Sequence, residues 1–169
     1  MGFDFFQHFI WKKQSVKKGR KGKIVWGSVD KRWAVPPYLY ADLSIEHIIV
    51  FRKPGKKRDL HSMEERQAEE YNRIPKEKFL DWANPVWEIN SPHNKKHPAT
   101  FPSSLVNRLI KMYSLKNDIV LDPFCGIGTT VKEAIKLKRN AIGYEINKTY
   151  INDLIDEYNL KRKGDRYSN

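Results

Sequence analysis

One cysteine, Cys125, is all that the 169-residue chain contains. A disulfide framework within the chain and a multi-cysteine zinc site are therefore excluded, and no metal centre is expected. Long apolar runs are missing too. No stretch approaches the roughly 20 residues that a membrane-spanning helix needs. The opening MGFDFFQHFI has no basic region, apolar stretch and small-residue cleavage site in sequence, so no secretory leader is predicted. A soluble, cytoplasmic protein without membrane contact is the expectation. Acidic residues are scarce, 20 against 32 Lys and Arg, which leaves a formal charge of +12. Such an excess favours a polyanionic partner through counterion release, without saying which.

About two-fifths of the residues are apolar, enough to build the core of one domain at this length. The positive charge is unevenly spread. Lys12, Lys13, Lys17, Lys18, Arg20, Lys21 and Lys23 fall within twelve residues that hold no acid. Trp11 and Trp26 flank this stretch, and Gly19 and Gly22 lie inside it. A flexible basic loop beside aromatic rings suits a nucleic-acid backbone. The clusters at Arg52–Arg58 and Lys161–Lys163 read as a solvated loop and tail.

Residues 5–12 read as a short, buried, aromatic-rich strand, and 46–52 as a strand closed by the Pro54-Gly55 turn. Residues 23–29 suit a short strand or turn. Pro36-Pro37 keeps Val35 to Tyr38 extended. Ser62-Met63-Glu64-Glu65 fits a capping box, so a polar helix is expected to start there and stop before Pro75. A helical turn is expected over 76–82, then extended chain along WANPVWEIN, 82–90, and a Pro- and His-dense loop up to Pro102. A helix should follow, with Leu105, Leu109, Met112 and Tyr113 as its apolar face. Residues 118–122 and 140–144 read as buried strands. Between them lies a helix whose inner face is Val131, Ala134 and Ile135. A last helix is lined by Tyr150, Ile151, Leu154, Ile155 and Tyr158. Strand, helix and strand of these lengths make a right-handed βαβ unit with a parallel pair.

The sharpest local signal is Asp122-Pro-Phe-Cys-Gly-Ile-Gly-Thr-Thr130, a glycine-bearing turn from a strand into a helix. Gly126 and Gly128 allow close approach of a ligand to the backbone, and the helix start offers free N–H groups. The dinucleotide pattern G-x-G-x-x-G is not met, because Val131 stands where a third small residue belongs. No Gly-Lys-Ser/Thr sequence completes a phosphate-binding loop of the Walker type. Alone, a Gly-x-Gly turn is as often structural as functional. Glu145 adds a second signal. It ends the next strand, where a carboxylate can accept both hydroxyls of a ribose.

With these residues in view, VLDPFCGIGTT followed by GYE resembles the cofactor loop of S-adenosylmethionine-dependent methyltransferases. HPATFP upstream is similar to the motif that precedes it in site-specific DNA methyltransferases of the amino-methylating type, N4-cytosine or N6-adenine, with circularly permuted order. FIWKK and EHIIVFRKPG are similar to later strands of that catalytic domain. The resemblance covers roughly residues 5–53 and 85–158. It implies an α/β fold with a partial Rossmann-like methyltransferase sheet, S-adenosylmethionine as cofactor and DNA as partner. Residues 1–58 would hold target-side strands and the basic loop, 59–84 a polar surface excursion, 85–160 the cofactor-binding βαβ part, and 161–169 a basic tail. Asp122, Phe124, Gly126 and Gly128 would lie under the methionine part of the cofactor, with Thr129 and Thr130 at the helix start. Glu145 would hold the ribose, and Tyr144 or Ile146 would flank the adenine. His97, Pro98, Ala99, Thr100 and Phe101 would close the methionine side. Cys125 would have no covalent role, since this family uses none.

The resemblance also implies a missing part. Such enzymes polarise the target amine with an Asp/Asn/Ser-Pro-Pro-aromatic motif, and the aromatic stacks on the flipped base. This chain has only Val35-Pro36-Pro37-Tyr38, and valine accepts no hydrogen bond. No catalytic residue is assigned. The central strand leading into the motif has no counterpart either, which would leave sheet edges unpaired. A second polypeptide supplying them, or a gene truncated or misread at its start, would account for this. An inactive nucleic-acid-binding remnant and a methyltransferase acting on RNA or protein are the rival readings.

Overall fold

The computed structural model describes residues 2–13, 16–18, 24–26, 45–56, 72–90, 101–158 and 160, with 16–18 and 24–26 described as backbone. The capping box at Ser62 and the Val35–Tyr38 segment lie outside the described residues. The chain divides into two compact units, one formed by Met1–Glu64 with Pro75–Ser91, the other by Glu65–Ile74 with Pro92–Asn169.

In the first unit, β1 (Asp4–Lys12) is followed by β2 (Val16–Lys18), β3 (Ile24–Trp26), β4 (Ile45–Arg52), α1 (Lys76–Trp82) and β5 (Val86–Glu88). The aromatic run at 5–12 is the central strand of a β4-β1-β5 sheet. It pairs antiparallel with β4, with an irregularity between Phe5 and Gln7, and parallel with β5. Phe9 and Trp11 stand two residues apart and so share one face. Both are buried, with Trp82 and Trp87. The Phe9 ring stacks on Trp87 at 4.4 Å. Each indole N–H that goes inside must find an acceptor. Trp11 Nε1 donates to the Ile89 carbonyl at 2.7 Å and Trp87 Nε1 to that of Trp82 at 3.1 Å. The basic stretch is in part an antiparallel ribbon: β2 pairs with β3, Val16 opposite Trp26. The residues between these two strands lie outside the described residues.

The second unit holds α2 (Ser103–Tyr113), β6 (Ile119–Asp122), α3 (Thr129–Lys136), β7 (Asn140–Gly143) and α4 (Lys148–Tyr158). β6 and β7 are parallel, Ile119 opposite Asn140 through Asp122 opposite Gly143. Val120 and Ala141 pack on Val106 and Ile110 of α2 and on Ala134 and Leu137 at α3. Here α2 departs from its expected face. Leu105, Val106 and Ile110 are buried, and Tyr113 is exposed. The helix presents the face that meets α3, and period counting alone does not fix where an apolar stripe is centred.

The two strands depart from expectation as well. Successive side chains point to opposite faces. Val120 and Ala141 are covered, but Ile119, Leu121 and Ile142 are exposed at 67%, 58% and 46%. The α2–α3 layer covers one face only. Among the described residues, β6 and β7 pair with each other and with no third strand.

The turns after α2 and α3 are tied together by Arg139, which is 4% exposed. Its guanidinium donates to the Ser114 carbonyl at 2.8 Å, the Leu137 carbonyl at 2.6 Å and the Ser114 hydroxyl at 3.2 Å. The side-chain oxygen of Asn72 accepts from Arg139 Nη2 at 3.4 Å and from the Lys116 N–H at 2.6 Å. Burial pushes the guanidinium below its ordinary pKa, and Asp118 opposes that shift.

Candidate cofactor site

The β6 strand ends at Asp122, whose Oδ1 accepts the N–H of Phe124 at 3.0 Å and starts a tight side-chain turn. The ladder to β7 continues beyond the strands. Tyr144 N–H donates to the Asp122 carbonyl and Cys125 N–H to the Tyr144 carbonyl, both at 2.9 Å. The loop then needs two left-handed residues, Gly126 at φ 52° and Gly128 at φ 78°. Glycine is the residue that takes this conformation without a Cβ clash. Gly128 caps α3, and no side chain caps that helix.

Gly128 answers a second constraint. A Cβ built on it would lie 2.5 Å from both δ-methyl groups of Leu154. The close approach is between the loop and α4, as the third glycine of a dinucleotide fingerprint serves helix packing. Gly143, just before Tyr144 and Glu145, is similarly enclosed, with Cys125 Sγ 2.9 Å from a built Cβ. Gly143 goes unflagged by sequence pattern, although its place before an acidic strand end is a visible signal.

Glu145 sits at the end of β7 with both oxygens engaged. Oε2 accepts the Gly126 N–H and Oε1 the Asn147 N–H, each at 2.8 Å. Asn147, also unflagged by sequence, caps α4 by accepting the Thr149 N–H at 3.0 Å. Around this carboxylate the apolar side chains face outward. Phe124 is 88% exposed, Tyr144 63% and Ile146 90%. Thr129 and Thr130 open α3 and are half-buried; Phe101, before α2, is 41% exposed. His97, Pro98, Ala99 and Thr100 lie outside the described residues. Cys125 is buried beneath the loop. Burial, with Asp122 and Glu145 nearby, pushes its thiol up to about 11, so it stays protonated and a poor nucleophile at neutral pH.

Among the expected DNA-contacting residues, Lys12 pairs with Glu88 at 2.7 Å and Lys13 with Glu46, the Lys13 ammonium also lying 5.1 Å from the Trp11 ring centre. Lys17 and Lys18 belong to β2, described as backbone, and Arg20, Lys21 and Lys23 lie outside the described residues. Among the described residues no group of three or more His, Cys, Asp or Glu is placed to hold a metal ion, and no helix is long and apolar enough to cross a membrane.

A parallel β-α-β unit with a left-handed glycine loop on one strand end and a carboxylate beyond the next defines an α/β protein of the layout in which ribose-bearing cofactors are bound. The chain belongs to the N6/N4 DNA methylase family, whose model matches residues 1–156. It is 37% identical over 169 residues to the type II methyltransferase M.MjaI of Methanocaldococcus jannaschii, spanning 96% of this chain and 52% of that protein. It is 35% identical to the type II methyltransferase M.MthZI of Methanothermobacter thermautotrophicus, spanning 92% of this chain and 43% of the relative. The chain thus spans about half the length of these curated relatives. Among solved structures it matches TTHA0409, a candidate DNA modification methylase of Thermus thermophilus complexed with S-adenosyl-L-methionine. That match has 30% identity and a TM-score of 0.65, and covers 92% of this chain and 53% of that one. The cytosine-N4-specific PvuII DNA methyltransferase shares the fold at 18% identity and a TM-score of 0.62, covering 97% and 54%. The fold is the α/β fold of S-adenosylmethionine-dependent DNA methyltransferases, present in part.

Proposed function

We propose that this chain is the cofactor-holding part of a site-specific DNA methyltransferase acting on an exocyclic amine, cytosine N4 or adenine N6. The observation that carries the reading is the Glu145 carboxylate beside the glycine loop, with Phe124, Tyr144 and Ile146 exposed around it. S-adenosylmethionine supplies an electrophilic methyl group. Glu145 accepts the ribose hydroxyls, and Tyr144 and Ile146 flank the adenine. Asp122, Phe124, Gly126 and Gly128, with Thr129 and Thr130 at the helix start, lie along the methionine part. His97 to Phe101 close that side. The base-positioning Pro-Pro-aromatic motif comes from a second polypeptide or from the remainder of a longer chain.

Calorimetry tests the cofactor reading. The isolated chain is expected to bind S-adenosylmethionine weakly. Glu145→Ala should weaken binding by a further factor of about ten or more, the scale of hydrogen bonds to a charged group. No binding, even with the complementary segment present, would reject it.

The Lys12–Lys23 segment contacts DNA phosphates. Lys12 and Lys13 already face glutamates, so the informative set is Lys17, Lys18, Arg20 and Lys21. Replacing these four should weaken binding to all sequences alike. It should also flatten the slope of log affinity against log salt by about 3.6, near 0.9 per lost phosphate contact. An unchanged slope counts against the assignment.

A further inference from the structure

We propose that Glu145 also positions the glycine loop, so that the ribose and methionine ends of the cofactor site are built on one carboxylate. The inference rests on the S-adenosylmethionine reading above and adds a second role to the residue. Glu145 Oε2 accepts the N–H of Gly126, and Oε1 accepts the N–H of Asn147, both at 2.8 Å. The first bond reaches from the end of β7 across to the loop that leaves β6. The second fixes the turn into α4 from which the carboxylate projects. Gly126 is held at φ 52°, and the loop on either side is tied down by Phe124 N–H to Asp122 and Gly128 N–H to the Cys125 carbonyl at 2.7 Å. The carboxylate therefore closes the middle of the loop, where the backbone turns left-handed.

An ionised carboxylate has about four acceptor positions. Two take backbone N–H groups here, and two are left for the two hydroxyls of a ribose. Ribose capture therefore need not release the loop. The loop stands preorganised for the methionine end, and ordering it costs little on binding. Bonds from backbone N–H to a carboxylate are of the stronger, charge-assisted kind.

Glu145→Gln separates the two roles. One arm of the amide still accepts a hydrogen bond, but its NH2 arm cannot, so the N–H groups of Gly126 and Asn147 are no longer both held. The clasp between the loop and the turn into α4 is broken while the side chain keeps its length and a contact to the ribose. Glu145→Asp keeps the charge but is one methylene shorter and falls short of Gly126.

The test uses the 169-residue chain in two arms. In the first, hydrogen exchange of the Gly126 and Asn147 amides is followed by NMR without ligand, with Ala141 and Leu154 as controls for folding. Exchange should be about tenfold faster than in the wild type at Gly126 in Glu145→Asp and at Gly126 or Asn147 in Glu145→Gln, with the controls unchanged, as expected for a local rather than a global opening. In the second, calorimetry compares adenosine with S-adenosylhomocysteine. Glu145→Gln should lose about tenfold more affinity for S-adenosylhomocysteine than for adenosine, the scale of one charge-assisted bond. Equal losses for the two ligands, or unchanged exchange at both Gly126 and Asn147 in both variants, overturn the positioning role. If neither ligand binds the wild type, the cofactor reading falls and the coupling with it. The exchange arm then judges the tie between Glu145 and the loop alone.

Discussion

Incubated with DNA and tritiated S-adenosylmethionine, the chain by itself is expected to transfer methyl groups at least about 10⁵-fold more slowly than the same chain given a polypeptide with an Asp/Ser/Asn-Pro-Pro-aromatic motif. Orientation of the two reactants is worth about 7–11 kcal/mol of barrier, and the cofactor loop holds only one of them. No local sequence replaces the missing acceptor. Val35 carries none. The Asn84-Pro85 pair is committed to the start of β5, where Asn84 Oδ1 accepts the Val86 N–H at 2.9 Å and the Pro85 carbonyl accepts the Ile10 N–H at 2.7 Å. Asp122 before Pro123 is occupied by the Phe124 N–H. Complementation should also raise the melting temperature, since Ile119, Leu121 and Ile142 stand exposed on the uncovered face of β6 and β7. Covering an exposed side chain of that size stabilises by up to about 1.5–3 kcal/mol. Robust turnover by the chain alone, surviving Val35→Ala and Tyr38→Ala, would place the catalytic centre elsewhere.

Gly128→Ala is the substitution expected to cost most stability in the cofactor unit. Two penalties coincide there. A left-handed conformation costs a non-glycine residue about 1–2 kcal/mol. The new methyl group would also meet Leu154 at 2.5 Å, and overpacking of this kind costs about 1–3 kcal/mol. Leu154→Ala by itself leaves a cavity under the loop. Combined with Gly128→Ala it removes the clash but not the backbone strain. The double variant should therefore be more stable than the sum of the singles predicts, by about 0.5–3 kcal/mol, the range seen for residues in contact. Strict additivity in denaturant unfolding would show that Gly128 is required for its backbone angle alone.

Much of this was legible in the sequence for identifiable reasons. The runs at 5–12, 46–52, 118–122 and 140–144 are too apolar and too short for anything but strands, and strands formed there. The glycine turn and the position of Glu145 beyond the next strand were legible because their spacing is that of a β-α-β unit. What stayed hidden depends on partners. A short apolar run does not say whether one face or both are covered, so the exposure of Ile119, Leu121 and Ile142 emerged only with the structure. The face of α2 was set by α3 rather than by its own periodicity. Gly128 looked like a ligand-facing glycine, yet Leu154, 26 residues on, occupies the space beside it. Arg139 carries no signal of burial in the sequence. Its burial follows from three backbone and side-chain acceptors brought together by separate turns.

The most direct measurement of the central claim, that this chain carries the cofactor site, is an NMR titration of the isotopically labelled chain with S-adenosylhomocysteine. Amide shifts are expected to concentrate at Asp122 to Thr130 and Tyr144 to Asn147, saturate with a single affinity, and shrink with Glu145→Ala. Shifts confined to β1 and β4, or no shifts at millimolar ligand in the presence of the complementary segment, would contradict it.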